Sequence, residues 1–269
     1  MSFWKKSMAK IEELSAVILL GIYAGLIVYG TAGVLFHYQL PDTMTGLTTA
    51  VGFGFVLLHA LRQMKWRKTV LLLVMTFVVS LAFESVGVAT GLVYGHYHYG
   101  ARLGAKFLGL VPYLIPVAWF LMVYPSYVIA KNLIPAGWKQ WQRILTISGL
   151  TAVIMTAWDL AMDPMNAAWG TWVWEHKGAY FGVPIRNFWG WWLTVFVVIV
   201  LFLLFSRGRT FTGSRKFDLL VVISYAITGL SNIVIDFRIG LMGAGLAGLF
   251  AMFPWVFLGL MTTMKRKTG

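Results

Sequence analysis

Residues 157 to 164 read Ala157-Trp158-Asp159-Leu160-Ala161-Met162-Asp163-Pro164, and the chain runs on through Trp169, Trp172, Trp174, Glu175, His176, Tyr180, Gly182, Pro184, Asn187 and Trp189 to Trp192. Two carboxylates close an apolar run here, and a dense set of tryptophans follows. If the run is a membrane helix, the acids are costly: insertion scales put a mid-bilayer Asp at about 2.5 to 3.5 kcal/mol, so such a group is read as functional, with a partner to be named. Whether it is a membrane helix is decided by the rest of the chain.

The 269 residues are 59% hydrophobic and 12% charged, with a mean hydropathy of +0.77. A soluble domain of that composition would have an apolar surface, so the chain is read as an integral membrane protein. It contains no cysteine, which excludes disulfides and thiolate metal sites. The net charge of +13 could serve nucleic acid, but its placement points to the bilayer and no nucleic-acid partner is expected.

A hydrocarbon core of about 30 Å takes roughly 20 apolar residues to cross. Eight such runs are present, at about 14–36, 43–61, 69–91, 107–130, 143–162, 188–206, 217–236 and 240–262. The expected fold is all-α, a polytopic membrane helix bundle, with residues 1–269 as a single integral membrane domain. The second run is the weakest, with Gly46, Gly52, Gly54 and His59 in it; the fourth carries Pro112, Pro116 and Pro125, expected to kink it. Gly240 to Gly248 suit close helix packing. The first run follows Lys5, Lys6 and Lys10 but is too long for a cleaved signal, and is read as a retained helix.

The cations test this division independently. Seventeen of the 22 Lys and Arg fall in the two tails and the even-numbered connections; Arg102, Lys106, Lys177, Arg186 and Arg238 fall on the other side. The positive-inside rule then makes both termini cytoplasmic, in a multi-pass protein of the cell membrane. On that topology Glu12, Glu13 and Asp218 lie at cytoplasmic ends, where solvation is expected. Asp42, Glu84, Asp159, Asp163, Glu175 and Asp236 all fall in the outer half, with His37, His96, His98, His176, Asn187 and Asn232. The site is therefore expected toward the outer half. Helices three, five and seven each carry an acid in the outer part, Glu84, Asp159 and Asp236, a faint internal repetition.

Glu84 lies roughly 22 Å along helix three at 1.5 Å per residue, inside the hydrocarbon. Burial disfavours its charged form, so it reads either as a neutral general acid or as a packing hydrogen bond. Asp159 and Asp163, four apart, share a helix face if the helix continues; two such carboxyls can hold one proton between them. Pro164 suits the first position of a new turn, so Asp163 is alternatively a cap for a short helix. In Tyr94-Gly95-His96-Tyr97-His98-Tyr99 an extended chain would point His96 and His98 the same way, but no third histidine at ligand spacing supports a metal and none is expected. Trp158, Trp169, Trp172, Trp174, Trp189, Trp191 and Trp192 read mostly as an interfacial belt, with a minority lining a pocket for a long apolar ligand. No phosphate-cradling loop, nucleophile elbow or dinucleotide motif is present.

Glu84 followed by Thr90-Gly91, Tyr94-Gly95, Tyr97-His98-Tyr99, Pro112, Pro116-Val117-Ala118-Trp119 and Tyr124-Pro125 resembles the carotenoid hydratase family of bacteria and archaea. So do Ala157-Trp158-Asp159, Asp163-Pro164, Trp172-Val173-Trp174-Glu175, Gly178 to Pro184 and Asn187-Phe188, so that the likeness covers about residues 80 to 192. The resemblance implies a hydro-lyase that needs no cofactor and adds water across the terminal double bond of an acyclic carotenoid, such as gamma-carotene or bisanhydrobacterioruberin, to give a tertiary alcohol. It implies Glu84, Asp159 and Asp163 as catalytic, and Tyr94, Tyr97, His98, Tyr99, Trp174, Glu175, Tyr180 and Asn187 as binding substrate or water. The implied partners are the carotenoid, water, membrane lipid and other enzymes of carotenoid biosynthesis. Asp236, Arg186 and His96 receive no role. An isoprenoid cyclase or isomerase begins with the same protonation, and a carotenoid-binding scaffold or a proton-coupled transporter would also hold buried acids; these readings stay open here.

Overall fold

The computed structural model describes residues 2–135, 137–206 and 213–264, with side chains from residue 11 onward. It is a bundle of eight helices, α1 (Ser2–Phe36), α2 (Met44–Gln63), α3 (Trp66–Thr90), α4 (Leu114–Leu133), α5 (Gln140–Ala168), α6 (Ile185–Phe205), α7 (Leu219–Arg238) and α8 (Met242–Met264). All eight are long and apolar enough to cross a membrane. The centre is α4, whose span is 78% buried against 17% for α1; an apolar helix shielded on all sides needs no polar stripe. Gly248 of α8 lets that helix close on α5, since a Cβ there would stand 2.6 Å from Ala161 Cβ. Of the cations counted above, Arg207, Arg209, Lys265, Arg266 and Lys267 lie outside the described residues, as do the side chains of Lys5, Lys6 and Lys10.

Four short strands sit in the odd-numbered connections: β1 (Tyr97–Tyr99), β2 (Lys106–Phe107), β3 (Val111–Pro112) and β4 (Trp172–Trp174). β1 and β4 pair antiparallel, Tyr97 opposite Trp174 and Tyr99 opposite Trp172. All four of these side chains are buried, while His98 and Val173 between them are exposed. The period-two alternation of a strand thus turns four rings toward the bundle and sends His98 away from it.

Three expectations change. The fourth helix begins at Leu114, not 107, because β2 and β3 form a tight hairpin through Leu108 (φ 48) and Gly109 (φ 71). Pro112 therefore belongs to a strand, Pro116 falls in the first turn, where no N–H is needed, and only Pro125 is interior. Helix five does not stop before Pro164. Pro164 has no N–H for the Leu160 carbonyl, and that carbonyl accepts the Tyr180 hydroxyl instead at 2.9 Å. Asp163 is consequently a mid-helix residue and not a cap. Third, Asp218 is not solvated but 1% exposed: Gln63 from α2 and Asn132 and Lys131 from α4 close over it. Glu12 and Glu13 do keep exposed side chains, each against Arg62 at 3.4 Å.

Candidate active site

The site is made at the end of the bundle that carries the odd-numbered connections. Two turns beyond Glu84, Gly91 (φ +67) ends α3 in the left-handed conformation that glycine tolerates, its N–H on the Gly87 carbonyl at 2.8 Å. The chain then turns back over the helix. Tyr94 wedges between α3 and α6 where both lack side chains: a Cβ at Gly87 would come within 2.6 Å of its ring and one at Gly190 within 2.4 Å. Its hydroxyl donates to Thr194 Oγ1 at 2.8 Å, which itself donates to the Gly190 carbonyl. With Tyr94 wedged there, β1 runs over Glu84.

Glu84 accepts three hydrogen bonds. The hydroxyls of Tyr97 and Tyr99 donate to Oε2, the second at 2.8 Å, and Trp119 Nε1–H donates to Oε1 at 3.1 Å. Burial, followed by the neighbouring Glu84 carboxyl, holds the Tyr97 and Tyr99 phenols well above the ordinary tyrosine value, and Tyr94 likewise. All three stay protonated and remain donors.

The second half comes from α5, β4 and α6. Asp163 accepts Trp172 Nε1–H on Oδ1 and Asn187 Nδ2–H on Oδ2, and the same amide nitrogen donates to Asp159 Oδ2 at 3.1 Å. Asn187 lies in the first turn of α6 and draws the i and i+4 acids of α5 together. Asp159 Oδ1 has no partner among the described residues. Every donor in both halves is neutral, and among the described residues no Lys, Arg or His forms an ion pair with Glu84, Asp159 or Asp163.

Glu84 and Asp163 open onto one cavity of about 900 Å³, toward the large end of the range for small-molecule sites. Tyr94, Tyr97, Tyr99, Trp174 and Asn187 line it as well. Asp159 is fully buried one turn behind the wall, tied in through Asn187. Three residues singled out in the sequence are not on this wall: His98 and Glu175 are exposed on the far side of the strands, and the Tyr180 hydroxyl is engaged at Leu160. Asp236 is also apart. It is buried in α7, off the cavity lining, with neither carboxylate oxygen partnered among the described residues, so of the three repeated acids only Glu84 lines the cavity. Nor do the described residues contain a group of three His, Cys, Asp or Glu that could hold a metal.

The tryptophans are redistributed. Trp158, Trp169, Trp172, Trp174 and Trp191 line the cavity, so that the majority face inward, and only Trp189 and Trp192 lie off it. Trp119, which carried no separate signal in the sequence, proves central: it bonds Glu84 and stacks on Trp191 with centroids 4.3 Å apart, and Trp158 meets Trp191 edge-on at 6.0 Å. Only its place in the resembling motif marked it, because an indole in an apolar helix looks like any other core ring.

The family described as carotenoid biosynthesis protein matches residues 44–254. Bisanhydrobacterioruberin hydratase of Haloarcula japonica is 35% identical over 136 residues, which is 51% of this chain and 45% of that protein, so the chain matches rather less than half of this relative's length. No solved structure matches. The family match takes in α2 through most of α8 and every residue of the acid cluster, and on that extent the chain belongs to the carotenoid biosynthesis protein family.

Proposed function

We propose that the protein is a hydro-lyase that adds water across the terminal carbon–carbon double bond of an acyclic carotenoid end by acid catalysis, giving a tertiary alcohol. The observation that carries this reading is the cluster of three buried carboxyls, supplied only with neutral donors, of which Glu84 and Asp163 open onto an aromatic cavity inside a membrane bundle. An unactivated alkene needs a strong acid, a water-poor surrounding that tolerates a carbocation, and a metered water. A cation paired with the acids would fix them as carboxylates; among the described residues Arg102 lines the same cavity but no ion pair reaches Glu84, Asp159 or Asp163.

In this mechanism the Asp159–Asp163 pair holds one proton and delivers it to the less substituted carbon of the alkene. The π electrons form the new C–H bond and leave a tertiary cation. The faces of Trp191 and Trp174 favour that cation, and Glu84, an acceptor held by three donors, stabilises it electrostatically. Water adds to the cation, and the proton it then loses returns to the carboxylate pair, so that substrate plus one water becomes one alcohol. Each step uses only carboxyls, water and substrate. The polyene tail extends along the apolar part of the cavity, and the site faces the outer side of the cell membrane. The haloarchaeal relative is named for a hydration of this kind.

Expression in cells that accumulate lycopene-type pigments, followed by mass analysis of the extracted pigments, tests the reading. The expected result is a pigment heavier by one water, absent with Glu84→Gln. A product of unchanged mass with a new ring or a shifted double bond would instead make the protein a cyclase or isomerase, and unchanged pigment alongside normal membrane expression would make it a scaffold.

A further inference from the structure

The cavity has a second wall, formed by α1 and α7, that the acid cluster does not use. Two hydroxyl pairs lace these helices together, Tyr23 with Thr228 at 2.8 Å and Thr31 with Ser231 at 2.7 Å. Thr228 also donates to the Ser224 carbonyl at 2.7 Å and Thr31 to the Ile27 carbonyl at 2.8 Å. Their single protons are thereby committed, which leaves Tyr23 and Ser231 as the donors within the pairs. This polar stripe is satisfied within the protein.

Asn232, the next residue along, is different. It lines the cavity and is only 8% exposed, yet its amide has no hydrogen-bond partner among the described residues. A polar group facing a cavity is ordinarily met by water or by a polar group of a ligand. A primary amide offers two donors and an acceptor and titrates nowhere near neutrality. It can fix a water without removing a proton from a nearby carbocation, which a carboxylate at the same place would do.

We infer that Asn232 holds the water molecule that captures the carbocation, from a different wall of the cavity than the one carrying Glu84 and Asp163. The inference rests on the hydration reading. It assigns α7 to the capture step and α3 and α5 to the protonation step.

The assignment is tested in D2O, with membranes containing the full chain and an acyclic carotenoid. The wild type should give mainly an alcohol carrying one carbon-bound deuterium. When capture is impaired, the deuterated cation loses a proton from the adjacent methyl group to the carboxylate and returns as an alkene that holds deuterium but has gained no water. Asn232→Leu should lower the ratio of alcohol to deuterated alkene about tenfold, the worth of one hydrogen bond, and Asn232→Gln should restore part of it. Should Asn232→Leu fail to accumulate in the membrane, Asn232→Ser carries the same measurement. An unchanged ratio overturns the inference. So does a parallel fall of both products, which a merely structural residue would cause, and so does a rise in KM with the ratio preserved, which would mean that the amide binds a hydroxyl of the substrate. A wild type that forms no alcohol sinks the hydration reading itself, whatever the variants do.

Discussion

The bundle buries carboxyls at both ends, and the two ends are built on opposite principles. At one end Asp218 accepts from Gln63 and, at 2.9 Å, from Asn132, and faces Lys131 at 3.4 Å. Beside it His59 Nε2–H donates to the Phe217 carbonyl at 2.9 Å and Nδ1 meets the Tyr124 hydroxyl at 2.8 Å. None of these residues lines the large cavity. At the other end Glu84, Asp159 and Asp163 have neutral donors only, one carboxylate oxygen is left over, and the cavity adjoins. A buried acid matched by a cation and closed on every side fastens α2, α4 and α7 together. Buried acids with no cation among their partners, beside a space a ligand can fill, are equipped to exchange a proton. Burial alone does not separate the two cases, since Asp218 and Asp163 are both 1% exposed; the character of the partners does.

The largest expected effects test that division directly. Asp163→Asn should lower hydration by about 10²–10⁴-fold, the usual contribution of a positioned acid, and Glu84→Gln by about 10²–10³-fold, that of an electrostatic stabiliser, each with little change in thermal unfolding followed by circular dichroism. Near-normal hydration in either variant would break the comparison. Asp218→Leu should do the reverse. It removes the carboxylate facing Lys131, and breaking a buried pair costs about 3–5 kcal/mol; the low end applies because the Lys131 side chain keeps 15% exposure. Unfolding should shift accordingly, while turnover per folded molecule is retained.

A smaller effect sharpens the comparison within the site. Tyr97→Phe leaves Glu84 with Tyr99 and Trp119, so hydration should fall about tenfold, in line with the loss of one hydrogen bond to a charged group. The variant also reads out pH. Because the Tyr97 and Tyr99 phenols are held well above 10, neither loses its proton up to that pH. The wild-type rate should show no alkaline limb from phenol ionisation below about pH 10, and Tyr97→Phe should leave the profile's shape unchanged in that range. A limb that disappears in the variant would show that the phenol titrates.

How much of this was legible beforehand follows from the range of the forces involved. The eight spans were, because each must be some 20 apolar residues long wherever its neighbours lie. The start of α4 was not: Lys106 to Pro112 are as apolar as a helix but form a hairpin, a distinction that depends on pairing and not on hydropathy. Glu84, Asp159 and Asp163 stood out as costly acids. What they touch could not be read, since Trp119 lies 35 residues from Glu84 and Asn187 lies 28 from Asp159. Asp218 was misjudged for the same reason. Its place at the end of a span implied solvent, whereas its partners come from α2 and α4, 86 or more residues away.

Tyr180 shows most plainly how a motif residue can serve the scaffold. Its resemblance-based role was ligand binding, yet its hydroxyl occupies the carbonyl that Pro164 leaves open and so keeps α5 continuous through Asp163. Tyr180→Phe should lower stability by about 1 kcal/mol at pH 7, with the product unchanged and only a minor loss of rate. The pH dependence identifies the hydroxyl as the cause. Burial first, then the Asp236 and Asp159 carboxyls, raise this phenol above its ordinary value of 10.0. Above that pH the unfolded chain ionises Tyr180 while the folded protein does not, so the contribution of the phenol is complete below pH 10 and is lost as pH rises beyond it. The variant has no phenol at this position to lose, so the gap between wild type and Tyr180→Phe should narrow above about pH 10. A gap that stayed constant with pH would mean that packing, not the bond to Leu160, makes the difference.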